Sequence, residues 1–114
     1  MTAAYAANLV EDLPPGDVKR VIGVFQIEIV TLCQRLAAAA AKGDATAFRR
    51  AAHAIAGAAG AVGAIELERE ARQLMQQSSG SAPDLTTNCA HLAATVASTQ
   101  TGLAAFVANG CVAS

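Results

Sequence analysis

The sequence is poor in aromatic residues and in clustered charge, and each shortage excludes a class of protein. It has no tryptophan, its aromatic content is 4%, and its formal net charge is −1 without any basic run. A nucleic-acid-binding domain usually carries clustered lysine and arginine, so we expect no nucleic-acid partner. No Ser/His/Asp set, phosphate-binding glycine loop or paired-carboxylate motif is present, so the sequence offers no enzyme active site of its own.

The cysteine and histidine content gives no sign of a disulfide framework or a metal site. The three cysteines, Cys33, Cys89 and Cys111, are an odd number, and no CxxC spacing occurs. We therefore expect reduced thiols in the cytoplasm that pack as small apolar side chains. The two histidines, His53 and His91, lack the nearby cysteine and carboxylate companions of a zinc site. We expect no metal or cofactor bound by the chain itself.

Charge is also absent after Asp84, which raises the question of a membrane span. A transmembrane helix needs about 20 predominantly apolar residues. The segment after Asp84 instead carries threonine, serine and glutamine side chains, most of them off its apolar stripe. The N-terminus lacks the basic and apolar regions of a signal peptide. We expect an amphipathic last helix and no membrane insertion by this segment.

What the sequence has in abundance is alanine in helical patterns. Hydrophobic residues make up 54% of the chain, and they recur every three or four residues. The pattern predicts five helices, at about residues 4–11, 17–42, 45–61, 64–77 and 82–108. Short links between long amphipathic helices are typical of antiparallel bundles. We predict one all-α domain over residues 1–114, an up-down-up-down four-helix bundle preceded by a short extra N-terminal helix.

Two boundaries carry capping residues, and the stripes between them predict the core. Gly43-Asp44 combines a helix stop with an N-cap for the next helix, and Ser81 is placed as the N-cap of the last one. The side chains that we expect to be buried are Phe25, Ile29, Phe48, Ile55, Leu67, Leu74, Leu92 and Val96.

The most unusual position is His53, which lies on the polar side of its helix. At about 100° per residue, it falls roughly 150° from the stripe of Phe48 and Ile55. Gly57 and Gly60 follow on the same side, although glycine costs a helix about 0.5–1 kcal/mol relative to alanine. A bare surface around an exposed imidazole leaves room for a phosphoryl group on a ring nitrogen and for the backbone of a partner protein.

Periodicity alone leaves two interpretations of this pattern open. Arg49 and Arg50 precede His53 by about one turn and would offset the charge of a phosphoryl group. Alternatively, His53 is an ordinary surface histidine, and the glycines let neighbouring helices approach. His91 lies off the stripe of the last helix without glycine or basic neighbours, and we expect an ordinary surface residue there.

The segment around His53 resembles the signature of the histidine-containing phosphotransfer (HPt) domain. That signature is a histidine, a Leu or Ile two residues on, then a lysine, a glycine, two small residues and a later Gly-Ala pair. Residues 53–64, HAIAGAAGAVGA, follow it except at the lysine. The resemblance extends over residues 17–77, including the Gly43-Asp44 turn and the spacing of Leu67, Ala71 and Leu74.

This resemblance implies a phosphorelay role in bacterial two-component signalling. In such domains a histidine on a four-helix bundle accepts a phosphoryl group from a receiver-domain aspartate and passes it to another receiver. The receiver supplies Mg²⁺ and the reactive centre, so the bundle is a phosphocarrier without catalytic machinery. By this resemblance His53 is the phosphorylated residue. The expected phosphoryl-binding and docking surface comprises Arg49, Arg50, Ala56, Gly57, Gly60, Arg72 and Gln76.

Two positions depart from the family pattern. Ala56 stands where the family usually has a lysine that helps the phosphoryl group electrostatically. Arg49, Arg50 and Arg72 are the candidates to supply that charge instead. A glutamine that the family often places on the following helix falls at Met75, next to Gln76.

We expect a cytoplasmic location, either as a free-standing protein or as the cytoplasmic C-terminal part of a membrane sensor kinase. Two other functions stay open beside the phosphorelay role. One is a phosphorylation-incompetent adaptor that binds a receiver domain without transfer. The other is a helical interaction domain that binds a receiver or kinase and in which His53 is incidental.

Overall fold

The computed structural model describes residues 15–76 and 82–108, and in these ranges the chain is helical apart from two short turns. α1 runs Pro15–Lys42, α2 Ala45–Ala61, α3 Ile65–Gln76 and α4 Ala82–Ala108. α1 and α3 each pack against both α2 and α4, so the helices form an up-down-up-down bundle, which confirms the all-α prediction. The helix expected at residues 4–11 and the cap expected at Ser81 lie outside the described residues.

The apolar stripes of the helices meet in one core. Ile22, Ile55 and Leu67 have no exposed surface, and each residue of this kind stabilises the fold by about 1.5–3 kcal/mol relative to an exposed position. Of the residues predicted for the core, Val96 alone is only partly buried. The buried residues of α4 include Thr99 and Leu103, and Val96 lies at the edge of the stripe that they form. The confirmed core residues are Phe25, Ile29, Phe48, Ile55, Leu67, Leu74 and Leu92.

The turn between α1 and α2 is formed by the residues predicted for it. Gly43 has a φ of 67°, which favours glycine, and its N–H donates to the carbonyl of Ala40 at 3.1 Å. The Asp44 N–H donates to the carbonyl of Ala39 at 3.0 Å. The Asp44 carboxylate then accepts from the N–H of Ala47 at 3.0 Å, as an N-cap does. This short turn makes α2 run back along α1.

Removal of the Asp44 side chain is expected to destabilise α2, the helix that carries His53. Asp44→Ala leaves the Ala47 N–H without its acceptor, and such changes cost about 0.5–2 kcal/mol. Asp44→Ser keeps an acceptor oxygen and should stay close to the parent protein. Urea unfolding followed by circular dichroism measures both variants. Equal stability of Asp44→Ala and the parent would show that water replaces this cap without loss.

The turn between α2 and α3 repeats the first one. Gly63 has a φ of 71°, and its N–H donates to the carbonyl of Gly60 at 3.2 Å. The Ala64 N–H donates to the carbonyl of Ala59 at 2.9 Å. These bonds satisfy the carbonyls of Ala59 and Gly60 in the last turn of α2 and turn the chain so that α3 lies beside it.

α1 has the length and hydropathy of a membrane-spanning helix over Gly16–Lys42. One of its sides nevertheless forms part of the core, through residues such as Ile22 and Ile29. The core helix of a soluble bundle meets the same criteria, so this feature by itself does not indicate insertion. Its hydropathy is high because large apolar side chains, including Ile27, also lie on the side away from the core.

Candidate functional site

α2 has one open side that faces away from its neighbours. His53 lies there and is exposed, as its spacing predicts. Helical residues three, four or seven positions apart share a face because a turn contains 3.6 residues. The buried arc opposite consists of Phe48, Ala51, Ala52, Ile55, Ala56 and Ala59. The open side of α2 is defined here as the exposed residues Arg49, Arg50, His53, Ala54, Gly57, Gly60 and Ala61.

The two glycines of the open side have different surroundings. A Cβ added at Gly57 would meet no heavy atom within 4 Å, so the space one turn beyond His53 is free. A Cβ at Gly60 would lie 3.3 Å from Oε2 of Glu68 on α3. Helix packing gives only a weak reason for glycine at position 60, because the atoms nearest to the added Cβ belong to the end of a flexible side chain. It gives none at position 57.

Ala56 does not belong to the open side, so its predicted place on the docking surface is wrong. Its exposed fraction is 3%. The prediction took Ala56 as a neighbour of His53 because the two are three residues apart. Ala56 lies on the side of α2 where Ala52 is also buried, and the two packed neighbours of α2 extend the buried arc beyond the apolar stripe. The position of the family's lysine is thus an interior one in this chain.

Basic side chains from two helices lie on the open side of α2 and in the groove next to it. Arg49 and Arg50 are exposed one turn before it on α2. Arg50 also lines an open groove of about 450 Å³ between α1 and α2, together with Arg35 and Lys42 of α1. Asp44 is the one acidic residue among the lining residues, so positive charge predominates.

Sequence reasoning missed Arg35 and Lys42 as parts of this surface. The short Gly43-Asp44 turn could have predicted their place, because a two-residue link makes α1 and α2 antiparallel neighbours. Residues at similar distances from the turn, such as Arg35 and Arg50, then lie side by side. The groove also includes Ala54, the residue next to His53, so it is continuous with the open side of α2.

On α3, Glu68 and Arg72 lie four residues apart and form an exposed ion pair. Nη2 of Arg72 donates to Oε2 of Glu68 at 2.7 Å, and Nε donates to the same oxygen at 3.2 Å. The Arg72 side chain is 64% exposed. Since the Glu68 carboxylate also lies next to Gly60, this ion pair occupies the side of α3 that borders α2.

The end of α3 carries the position where the family often has glutamine. Met75 is half-buried and packs against the core, whereas the neighbouring Gln76 is exposed in the last turn. The thioether of Met75 offers only a weak acceptor in place of an amide. The exposure of Gln76 is compatible with its predicted place on the docking surface, and that role stays a prediction.

His91 lies on another side of the bundle. It is exposed on α4 beside a depression between α3 and α4 that Glu70, Gln73 and Asn88 also line. No arginine or lysine lines this depression. The position agrees with the prediction of an ordinary surface histidine.

The described cysteines behave as packing residues. Cys33 and Cys89 are free and half-buried, and burial raises the pKa of both thiols. The Cys89 thiol donates a weak hydrogen bond to the carbonyl of Leu36 at 3.9 Å. Among residues 15–76 and 82–108, no cluster of three or more histidine, cysteine and carboxylate side chains could hold a metal ion. Cys111 lies outside the described residues.

Comparison with known proteins agrees with this geometry. A family model described as the Hpt domain matches residues 20–102. The match contains α2 and α3 entirely, with most of α1 and α4, and therefore the whole open side. Comparison with curated proteins and with solved structures gave no match.

Proposed function

Since this chain belongs to the Hpt domain family, whose members act in the phosphotransfer of two-component and phosphorelay systems, we propose that it carries a phosphoryl group on His53. The group arrives from the aspartate of one receiver domain and leaves for the aspartate of another. The observation that carries the proposal is the exposed imidazole next to the free space at Gly57. A partner's backbone and a phosphoryl group both need such space.

The chemistry requires little from the bundle beyond a positioned nucleophile. A lone pair on the unprotonated ring nitrogen of His53 forms the N–P bond while the P–O bond to the receiver's aspartate breaks. The aspartate leaves as a carboxylate, and the proton on the other ring nitrogen stays there or passes to water. Transfer to the second receiver reverses these steps. Mg²⁺ and the rest of the catalytic machinery belong to the receiver.

The basic groove between α1 and α2 supports docking beside the open side. Arg35, Lys42 and Arg50 attract an acidic partner surface, and their exposure lets them act during the encounter. The phosphorylated aspartate of a receiver is itself negatively charged. We therefore assign this groove to receiver docking, in the cytoplasm, whether the chain acts alone or within a sensor kinase.

Phosphotransfer profiling tests the proposal. Each receiver domain of the source organism is charged with acetyl phosphate and Mg²⁺ and then mixed with the chain. At least one receiver should pass acid-labile phosphate to the chain within seconds to minutes. Binding of a receiver without labelling would instead favour the adaptor, for which Ala56 in place of the family's lysine is the specific observation. Absence of both binding and labelling would favour an interaction domain with other partners.

Arg72 is the candidate on the neighbouring helix to replace the charge of the missing lysine. It belongs to the side of α3 that borders α2, and its guanidinium extends into solvent from the Glu68 carboxylate. A phosphoryl group on His53 would compete with Glu68 for this cation. Because the exposed ion pair contributes only about 0.2–1 kcal/mol, the exchange costs little.

Arg72→Ala is accordingly expected to slow receiver-to-His53 transfer by about two- to fivefold, the equivalent of an exposed charge interaction. Glu68→Gln frees Arg72 and should leave the rate unchanged or increase it. Arg20→Ala is the control, since Arg20 forms a similar exposed pair with Asp17 at the start of α1. Quenched-flow transfer with one cognate receiver measures all variants. Equal rates for Arg72→Ala and Arg20→Ala would assign the charge to Arg49 or Arg50.

A further inference from the structure

The solvent-facing side of α1 carries a group of large apolar side chains. Ile27 is 75% exposed, Val24 57% and Val30 50%. Soluble proteins seldom leave large apolar side chains grouped in this way unless another surface covers them. None of these three side chains lines the groove assigned to receiver docking, so the proposed phosphoryl transfer does not account for them.

These residues belong to a regular pattern along α1. Exposed positions alternate at spacings of three and four residues over about 27 Å of helix. Such spacing is that of the contact positions of a coiled coil, and none of the positions is charged. We define them as the outer band of α1: Val24, Ile27, Thr31, Gln34, Ala38 and Ala41.

The band is self-complementary when two copies pair antiparallel. Its large apolar residues lie toward the N-terminal end and its alanines toward the C-terminal end, so antiparallel pairing sets a large residue against an alanine in all but the central layers. Alternating large and small residues across an interface keeps the distance between helices uniform. The resulting layers are Val24 with the partner's Ala41, Ile27 with the partner's Ala38, and Thr31 with the partner's Gln34.

The charges beside the band have the same symmetry. Glu28 and Arg35 are exposed, lie seven residues apart, and follow one edge of the band. In an antiparallel pair of helices, equivalent edges face each other, so Glu28 comes opposite the partner's Arg35. The two-fold axis creates this pair twice. Parallel pairing would instead set this edge against the other one, where Val30 and Ala37 lie and no charge is present.

We propose that the outer band of α1 binds a second copy of this chain. The two copies form an antiparallel two-fold dimer, held by contacts between the two uncharged bands and by two Glu28–Arg35 pairs. The polar Thr31–Gln34 layer fixes the register, as single polar layers do in coiled coils. A dimer of this kind is closed, because each copy uses the same surface. The proposal does not require phosphorylation of His53, but Arg35 and Ala38 also line the groove assigned to receiver docking, so the dimer and a receiver docked in that groove would exclude each other.

Sedimentation equilibrium of the full chain tests the dimer directly. Because the outer band is short and contains two alanines, we expect a dissociation constant on the order of 1–100 μM. Ile27→Glu introduces a charge into the outer band of each copy, twice per dimer, and should weaken association at least about tenfold. Because Ile27 is exposed, this variant should keep its helix content and thermal midpoint. Lys19→Glu, a charge change on α1 outside the band, is the control and should dimerise like the parent.

A charge exchange tests the antiparallel register. Glu28→Arg and Arg35→Glu should each weaken the dimer, since each sets like charges opposite one another twice. The double variant with both changes should restore association to within about threefold of the parent. Rescue of this kind requires the two residues to meet across the interface.

Three results would overturn the proposal. The first is a chain that stays monomeric to about 1 mM. The second is a dimer that resists both Ile27→Glu and the single charge changes, which would place the interface elsewhere. The third is a monomer whose Ile27→Glu variant loses either binding to phosphatidylglycerol-containing vesicles or docking to a receiver domain. That result would assign the band to lipid or to the receiver.

Discussion

Replacement of His53 by glutamine is expected to abolish phosphoryl acceptance from a charged receiver and to leave the fold intact. Glutamine removes the nucleophilic ring nitrogen, and no other group on the open side of α2 can form the N–P bond. Because the His53 side chain is exposed, the change should alter the free energy of unfolding by no more than about 0.5 kcal/mol. Radiolabel transfer and thermal unfolding are measured on the same preparation.

His91→Gln is the matched control for this variant. His91 is also exposed on a helix, so the change alters the surface in a similar way without touching α2. It should transfer at the parent rate. Loss of transfer in His91→Gln, or unfolding of His53→Gln, would contradict the assignment of His53 as a surface nucleophile.

Gly57→Glu is expected to stop transfer while the bundle stays folded. The glutamate side chain would project into the free space one turn beyond His53, where a phosphoryl group and a partner's backbone must fit. Its carboxylate would also repel the phosphoryl group. Stability should rise, because replacing a helical glycine with a better helix former gains up to about 1 kcal/mol where no atom is in the way.

Gly57→Ala separates these effects. It gains the same helix propensity with only a methyl group, so stability should rise while transfer stays near the parent rate. Stopped-flow transfer from one cognate receiver compares the parent with both variants. If Gly57→Glu transfers as fast as the parent, the space at Gly57 is not part of the docking surface.

The fold followed from the sequence because local signals and the apolar pattern agreed. The bounds of α2 were predicted as residues 45–61, since Gly43-Asp44 combines a left-handed stop with a side-chain cap and the same residues do both in the structure. The glycine at 63 repeats the left-handed stop, which explains where α2 ends. Val96 was expected in the core and is only partly buried, because a stripe does not show how far a neighbouring helix covers its edge.

The site was less predictable because it depends on which helix covers which side of α2. Spacing identified the exposure of His53, which is a property of a single helix. Spacing also gave Ala56 as a surface residue, and packing between helices buries it. Arg35 was missed for the same reason, since its place beside Arg50 results from the pairing of α1 with α2.

The residue that carries the phosphoryl group can be identified directly. The parent chain is incubated with a phosphorylated cognate receiver, digested at neutral pH to protect the N–P bond, and sequenced by tandem mass spectrometry. Our expectation is one phosphoryl group, on the imidazole of His53, that is lost in acid and returns to the receiver when unphosphorylated receiver is added. A phosphoryl group on His91, or an acid-stable one on a serine or threonine, would contradict it.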